Sequence, residues 1–192
     1  FTMRVRKVLV IRFRRIGDAV LSVVICSTIR KSFPEAEIHY VVNDYLEPLF
    51  QDHPDVDRVI TFASRENDHF FTYVKKVFRL MREEHYDVIV DTRSTLKTLW
   101  FSILSPGTKY RIGTRKYYNL FFHNYRIRNH QDESLDEVSR NLLLVKPLEK
   151  EAPLVYDADF RLQVTEGEKE EFKRYMIEQG IDFSRLVILC TP

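Results

Sequence analysis

The sequence predicts an α/β fold: a Rossmann-like parallel sheet with helices on both faces. Three observations predict it. Short β-branched runs recur along the chain. The stretches between them carry apolar residues at helical spacing. With 44% hydrophobic and 13% aromatic residues, the 192-residue chain has enough apolar surface for a real core. Strands alternating with helices imply right-handed crossovers and a parallel sheet.

Lys7–Arg12 (KVLVIR) reads as a first strand, apolar enough to be buried on both faces. Gly17-Asp18 opens a helix with Val20, Val23, Val24 and Ile29 at helical spacing, stopped at Phe33-Pro34. Glu37–Val42 is a second strand and Tyr45–Phe50 a short helix. Arg58–Phe62 is a third strand, after the turn residues Asp52–Asp55. Phe70, Val74, Val77 and Met81 fall on one helix face. Tyr86–Asp91 is a fourth strand, Ser94–Leu104 a helix ended by Ser105-Pro106-Gly107, and Tyr110–Ile112 a short fifth strand. Leu135–Val145 is an amphipathic helix, Phe160–Val164 a candidate sixth strand, Glu166–Gln179 a charged helix, and Leu186–Cys190 a closing apolar strand. A buried strand with nothing after it cannot complete a layer, so it reads as the first strand of a second domain, or as an extra strand on the first sheet. Met3 reads as the native start, Phe1 and Thr2 as an added remnant.

Several function classes are disfavoured. No two of the five glycines have the spacing of a dinucleotide-binding loop or a P-loop. Cys26 and Cys190 have no neighbouring ligand set, which argues against a disulfide scaffold or zinc site and fits a reducing compartment. The six histidines show no metal-ligand spacing, and no G-x-S-x-G is present. No apolar run approaches a membrane span or a secretory signal. The net charge of +2 conceals an asymmetry: residues 1–128 carry 22 Lys and Arg against 14 Asp and Glu, and residues 129–192 carry 8 against 14. The basic part suits an anionic partner, or is a solvated surface with unequal charge.

Ligands of open parallel sheets bind beyond the carboxyl ends of the strands. Three segments lie there. In Arg12–Asp18, Gly17 permits a tight turn or the close approach of a substrate. Asp18 caps the helix or acts as a general base, and Arg14 or Arg15 can reach an anion. In Asp91–Lys97, Arg93 and Lys97 share a helix face and hold an anion at its N-terminus, or are solvated beside an ordinary cap. Lys109–Arg128 mixes six basic residues, Arg111 and Arg115 among them, with six aromatics and holds no acid. Such a stretch binds nucleic acid, sugars or anionic lipid head groups, or packs as core with a basic rim; core suits Phe121 and Phe122 best.

The stretch VLVIRFRRIGDAVLSVVICSTIRKSFPEAEIHYVV resembles the opening of glycosyltransferase family 9, the lipopolysaccharide core heptosyltransferases. Asp55–Phe62, Tyr86–Asp91, Arg111-Ile112-Gly113 and Asn141–Val145 follow in that family's order, so the resemblance spans nearly the whole chain. One departure is Val24, where many members carry a proline.

The resemblance implies a GT-B architecture, two Rossmann-like domains facing a cleft. Residues 3–150 would be the acceptor-binding domain, 151–185 an interdomain connection and 186–192 the first strand of a truncated donor domain. It implies an inverting, metal-independent transfer of heptose from ADP-heptose to the lipopolysaccharide inner core, with no cofactor. Asp18 would be the catalytic base. Arg14, Arg15, Gly17, Arg93, Lys97, Arg111 and Arg115 would contact the anionic acceptor. The donor would bind the missing domain, leaving these residues inactive alone. The expected setting is the cytoplasmic face of the inner membrane of a Gram-negative bacterium, without nucleic acid. A non-catalytic module for anionic glycolipid or nucleic acid is the alternative.

Overall fold

The computed structural model describes residues 4–13, 15–63, 69–129 and 134–181. The chain divides into two units, one ending at Leu162 and the other beginning at Gln163.

The first unit is built on a six-stranded sheet of order β3-β2-β1-β4-β5-β6. Its strands are β1 (Lys7–Ile11), β2 (Glu37–Asn43), β3 (Arg58–Phe62), β4 (Val88–Asp91), β5 (Tyr110–Thr114) and β6 (Tyr125–Ile127). Every pairing is parallel. Within each apolar run, successive side chains go to opposite faces. Val8, Val10, Ile38, Tyr40, Val42, Val88 and Val90 pack under α1 (Ile16–Ser22), α2 (Val24–Ser32) and α6 (Glu137–Val145). Leu9, Ile11, Val41, Ile60, Phe62 and Ile89 pack under α4 (Phe70–Glu84) and α5 (Leu99–Ile103). Both faces are covered, as the uninterrupted apolar strands require. The short helix predicted over 45–50 is a 3-10 turn, Asp44–Leu46, running into α3 (Glu47–Phe50).

Several expectations are corrected. The helix predicted from Gly17 to Phe33 is two helices broken at Val23. The Ser22 hydroxyl donates to the Asp18 carbonyl at 2.6 Å, a back-bond that bends helices. Phe70 stands 53% exposed, and the inward face of α4 is Tyr73, Val77, Leu80 and Met81. The helix predicted over Ser94–Leu104 starts only at Leu99, because residues 92–98 form a tight loop. Phe160–Val164 pairs with no strand, while Tyr125–Ile127 forms one that the sequence did not announce. The predicted strand Leu186–Cys190 lies outside the described residues.

The acidic stretch after Glu149 is tied down at its start. Asp157 ion-pairs with Lys31 at 2.7 Å, its N–H donates to Thr28 Oγ1 at 3.0 Å, and Val155 N–H donates to Ser32 Oγ at 2.9 Å. This part lies along α2. The second unit holds α7 (Glu166–Glu178), opened by a capping box: Thr165 Oγ1 accepts from Glu168 N–H, and the Glu168 carboxylate accepts from Thr165 N–H. No α7 side chain is buried within the described residues.

Candidate functional site

In strand order 3-2-1-4-5-6 the chain leaves β1 toward one side of the sheet and β4 toward the other, so their carboxyl ends open a crevice. Two residues build its floor. Arg12 follows β1 directly, and its N–H donates to Val41 O at 2.9 Å. Thr92 follows β4, and its hydroxyl donates to Ile11 O at 2.9 Å.

The Arg12 guanidinium is 5% exposed. Nη2 lies 2.8 Å from Asp18 Oδ2 and 3.6 Å from Glu137 Oε1, and Nη1 donates to Thr92 Oγ1 at 3.3 Å. A charge this deep in the fold needs such partners. Asp18 is carried by the first turn of α1, and it is not the cap: the cap position is Arg15, with no side-chain hydrogen bond. Glu137 is brought in by α6. That helix is capped by Asp136, which accepts from Ser139 N–H at 2.7 Å, and is docked by Asn141 Nδ2 donating to Leu21 O at 3.2 Å.

Arg12, Arg15, Asp18, Thr92, Arg93, Lys116 and Glu137 line a cavity of about 360 Å³. A second of about 320 Å³ shares Arg15 and Arg93 with it and adds Phe13, Asn43, Thr95, Lys97 and Thr98. A third of about 440 Å³ shares Lys116 and adds Thr114, Arg115, Tyr117, Leu120, Arg126 and Arg128. The three form a cation-lined run along the carboxyl edge, and Asp18 and Glu137 are the only carboxylates that line it among the described residues. An extended polyanion carrying a hydroxyl to be activated fits this arrangement.

The residues singled out in the sequence divide accordingly. Asp18, Arg15 and Arg93 meet in one cavity; Lys97 and Arg115 lie in the adjoining ones. Lys97 Nζ stands over the Tyr73 ring at 4.9 Å. Gly17 is exposed, and a Cβ there would meet nothing within 4 Å beyond its own helix. It is not the conformationally special residue of its loop: the positive φ of 56° falls on Arg15. Arg14 lies outside the described residues. Arg111 is not in the run at all. It folds over the loop at the amino end of β5, donating to the carbonyls of Phe122, Ser105, Pro106 and Thr108. Burial holds its guanidinium below the ordinary value. Arg93 and Lys97 do not flank a helix N-terminus, since α5 begins after both. Phe121, expected in the core, is 84% exposed.

Arg12 and Glu137 are functional candidates that sequence reasoning passed over, and Lys116 was read only as one of the six basic residues of Lys109–Arg128. Arg12 carried a signal, a lone charge ending a strand buried on both faces. Glu137 carried none.

Among the described residues, Glu37, His39 and Glu84 are the one group able to hold a metal ion. It lies at the opposite, amino edge of the sheet, and a cation is already built in: Lys7 Nζ sits 3.0 Å from Glu37 and 2.7 Å from Glu84.

No protein-family model matches the chain. Over 119 residues it is 23% identical to lipopolysaccharide heptosyltransferase 1 of Campylobacter coli, a match covering 62% of this chain and 34% of that protein. Its fold matches a family 9 glycosyltransferase of Veillonella parvula with a TM-score of 0.73 and 14% identity, over 95% of this chain and 52% of that one. It matches E. coli ADP-heptose lipopolysaccharide heptosyltransferase II with a TM-score of 0.62 and 23% identity, over 91% and 50%. The fold is thus that of family 9 glycosyltransferases, and the chain spans about half the length of these solved structures. The α/β, Rossmann-like fold and its resemblance to that family are borne out. No described helix is long and apolar enough to cross a membrane.

Proposed function

We propose that the chain is the acceptor-binding half of an inverting glycosyltransferase of family 9 type, which transfers heptose from ADP-heptose to the lipopolysaccharide inner core. One observation carries the reading: the Asp18 carboxylate, held by buried Arg12, opens into a cation-lined cavity at the carboxyl edge of a sheet with this family's fold. Arg15, Arg93 and Lys116 beside it, and Lys97 and Arg115 further along, suit the phosphates and acidic sugars of such an acceptor.

In this reading Asp18 takes the proton of an acceptor hydroxyl at Oδ1, since Oδ2 faces Arg12. The hydroxyl oxygen forms its bond to the anomeric carbon from the side opposite the nucleoside diphosphate. The bond to the diphosphate breaks, ADP leaves, and configuration inverts. Diphosphate and nucleoside would be held by the other half of the cleft, supplied by sequence beyond this chain. These residues alone would then turn over no donor. The cationic edge would meet its acceptor at the cytoplasmic face of the inner membrane.

The test is transfer by the full-length protein. Asp18→Asn keeps shape and removes the base, so the folded variant should lose at least about a hundredfold in rate, the usual contribution of general base catalysis. Undiminished transfer would overturn the assignment. A second reading rests on Tyr117 and Phe121, 93% and 84% exposed near Arg115 and Lys116, an arrangement that could stack single-stranded nucleic acid. It predicts salt-sensitive retardation of an oligonucleotide, which the glycosyltransferase reading does not.

A further inference from the structure

Behind the cavity lies a polar cluster that the Asp18 chemistry does not use. Asp91 ends β4 fully buried. Its Oδ1 accepts from the backbone N–H groups of Arg93, at 3.1 Å, and Ser94, at 2.8 Å. Those two bonds, with Ser94 at a φ of 49°, shape the loop that presents Arg93 to the cavity. Asp91 Oδ2 and His123 Nε2 face each other at 3.7 Å, both side chains at zero exposure, and neither atom has a hydrogen-bond partner among the described residues.

On the other side of the imidazole is Asn119, also fully buried. Its Oδ1 accepts from Lys116 N–H at 3.1 Å, and its Nδ2 donates to Thr114 O at 2.7 Å. These backbone contacts fix the orientation of the amide. The second Nδ2 proton therefore points at His123 Nδ1, 3.2 Å away, which must accept it. The imidazole proton then sits on Nε2, toward Asp91. A proton on Nδ1 as well would set donor against donor, and relief would require turning the Asn119 amide and breaking its hold on Lys116.

Gly113 makes room for this cluster. A Cβ there would collide with Ser94 Oγ and stand 2.7 Å from His123 Cε1 and 2.9 Å from His123 Nδ1.

We propose that neutral His123 is a positioning residue, which through Asp91 and Asn119 holds Arg93 and Lys116, both lining the Asp18 cavity, at the spacing the anionic acceptor requires. The acceptor part rests on the function proposed above; the tautomer does not. The charged groups acting on His123 are Asp91 from β4, which favours the imidazolium, and Arg111 and Arg126 from β5 and β6, which oppose it. Burial outweighs them and holds its pKa below the ordinary value.

The first test needs no variant. Nitrogen-15 NMR of this chain should show His123 protonated on Nε2 alone and still neutral where exposed histidines have charged. A proton on Nδ1, or titration at the ordinary midpoint, would overturn the proposal. The second uses transfer by the full-length protein. His123→Gln, which can offer an amide proton to Asp91, should stay near wild type in acceptor KM at neutral pH. Its KM should also lack the wild type's rise as pH falls. His123→Leu should raise acceptor KM roughly tenfold, the order expected for one misplaced charge-assisted contact, with donor KM unchanged. Equal acceptor KM in all three folded proteins would refute the positioning role. The Nε2 tautomer in a protein without transfer would instead leave the cluster standing and sink the glycosyltransferase reading.

Discussion

Arg12 Nη2 lies 2.8 Å from Asp18 Oδ2 and 3.6 Å from Glu137 Oε1, so one buried guanidinium serves two carboxylates from different helices. The carboxylates are 28% and 25% exposed, which makes the arrangement a half-wet cluster and not a fully buried triad.

Arg12→Met keeps the stem and deletes the charge. The two carboxylates then lose the cation they share, and their mutual repulsion is no longer offset. The expected loss of stability is about 1–3 kcal/mol, less than for a fully buried pair because water reaches both acids. Adding Glu137→Gln should recover part of it. Urea denaturation of the two single variants and the double gives the coupling directly, and strict additivity would show that Arg12 does not bridge the helices.

Acid stability should be set at the other edge of the sheet. Hydrogen bonds from Lys7 hold the carboxyls of Glu84 and Glu37 below the usual range, and Arg58 and His39 reinforce them. A lowered folded pKa means stability that is fully present above the unfolded glutamate value, about 4.3, and lost as pH falls through the lower folded value. Lys7 is raised by the same contacts, chiefly to Glu84, so its share persists until the pH rises past the ordinary lysine value. Thermal melting between pH 6 and pH 2 should show a decline starting near pH 4 that Lys7→Met flattens; equal slopes would refute the linkage.

What the sequence made legible was local. The apolar runs that became β1 to β5 each carry their own pattern, and their parallel pairing follows from the helices between them. The helix predicted from Ser94 was wrong for a non-local reason. The Tyr118 hydroxyl, from a segment far along the chain, donates to Ser94 O at 2.8 Å, and Ser94 stands at a φ of 49°, outside the helical region. β6 was invisible because its three residues lie inside a run read for charge. Asp18 was legible from its loop. Its pairing with Arg12 was not, and Glu137 joins Arg12 only through the packing of α6. Arg111 read as a ligand because charge alone cannot tell a cation facing solvent from one folded over a loop's carbonyls.

Gly17 offers a test that separates folding from binding. A Cβ there meets nothing within 4 Å, and the residue is not at positive φ. It lies inside α1, where glycine costs about 1 kcal/mol relative to alanine. Gly17→Ala should therefore melt at the same temperature or slightly higher. Its acceptor KM should rise all the same if the substrate passes over this bare backbone beside Asp18. Raised stability with unchanged KM would place the acceptor elsewhere along the edge.

Arg15 makes the complementary case. Its φ of 56° and ψ of 109° put a long side chain where glycine is at ease, at the mouth of two cavities. Holding a non-glycine residue in such a region costs roughly 1–3 kcal/mol, and this strain is kept where structure around the site over-determines it. Arg15→Gly should relieve it and raise the denaturation midpoint, although glycine's greater freedom in the unfolded chain returns part of the gain. The same change removes a cation shared by the two cavities, so acceptor binding should weaken and become less sensitive to salt. Arg15→Ala loses the cation and keeps the strain. The pair should thus bind equally weakly while differing in stability. If Arg15→Gly is no more stable than Arg15→Ala, the loop carries no strain; if both bind acceptor like the wild type, the cation at this mouth is not part of the site.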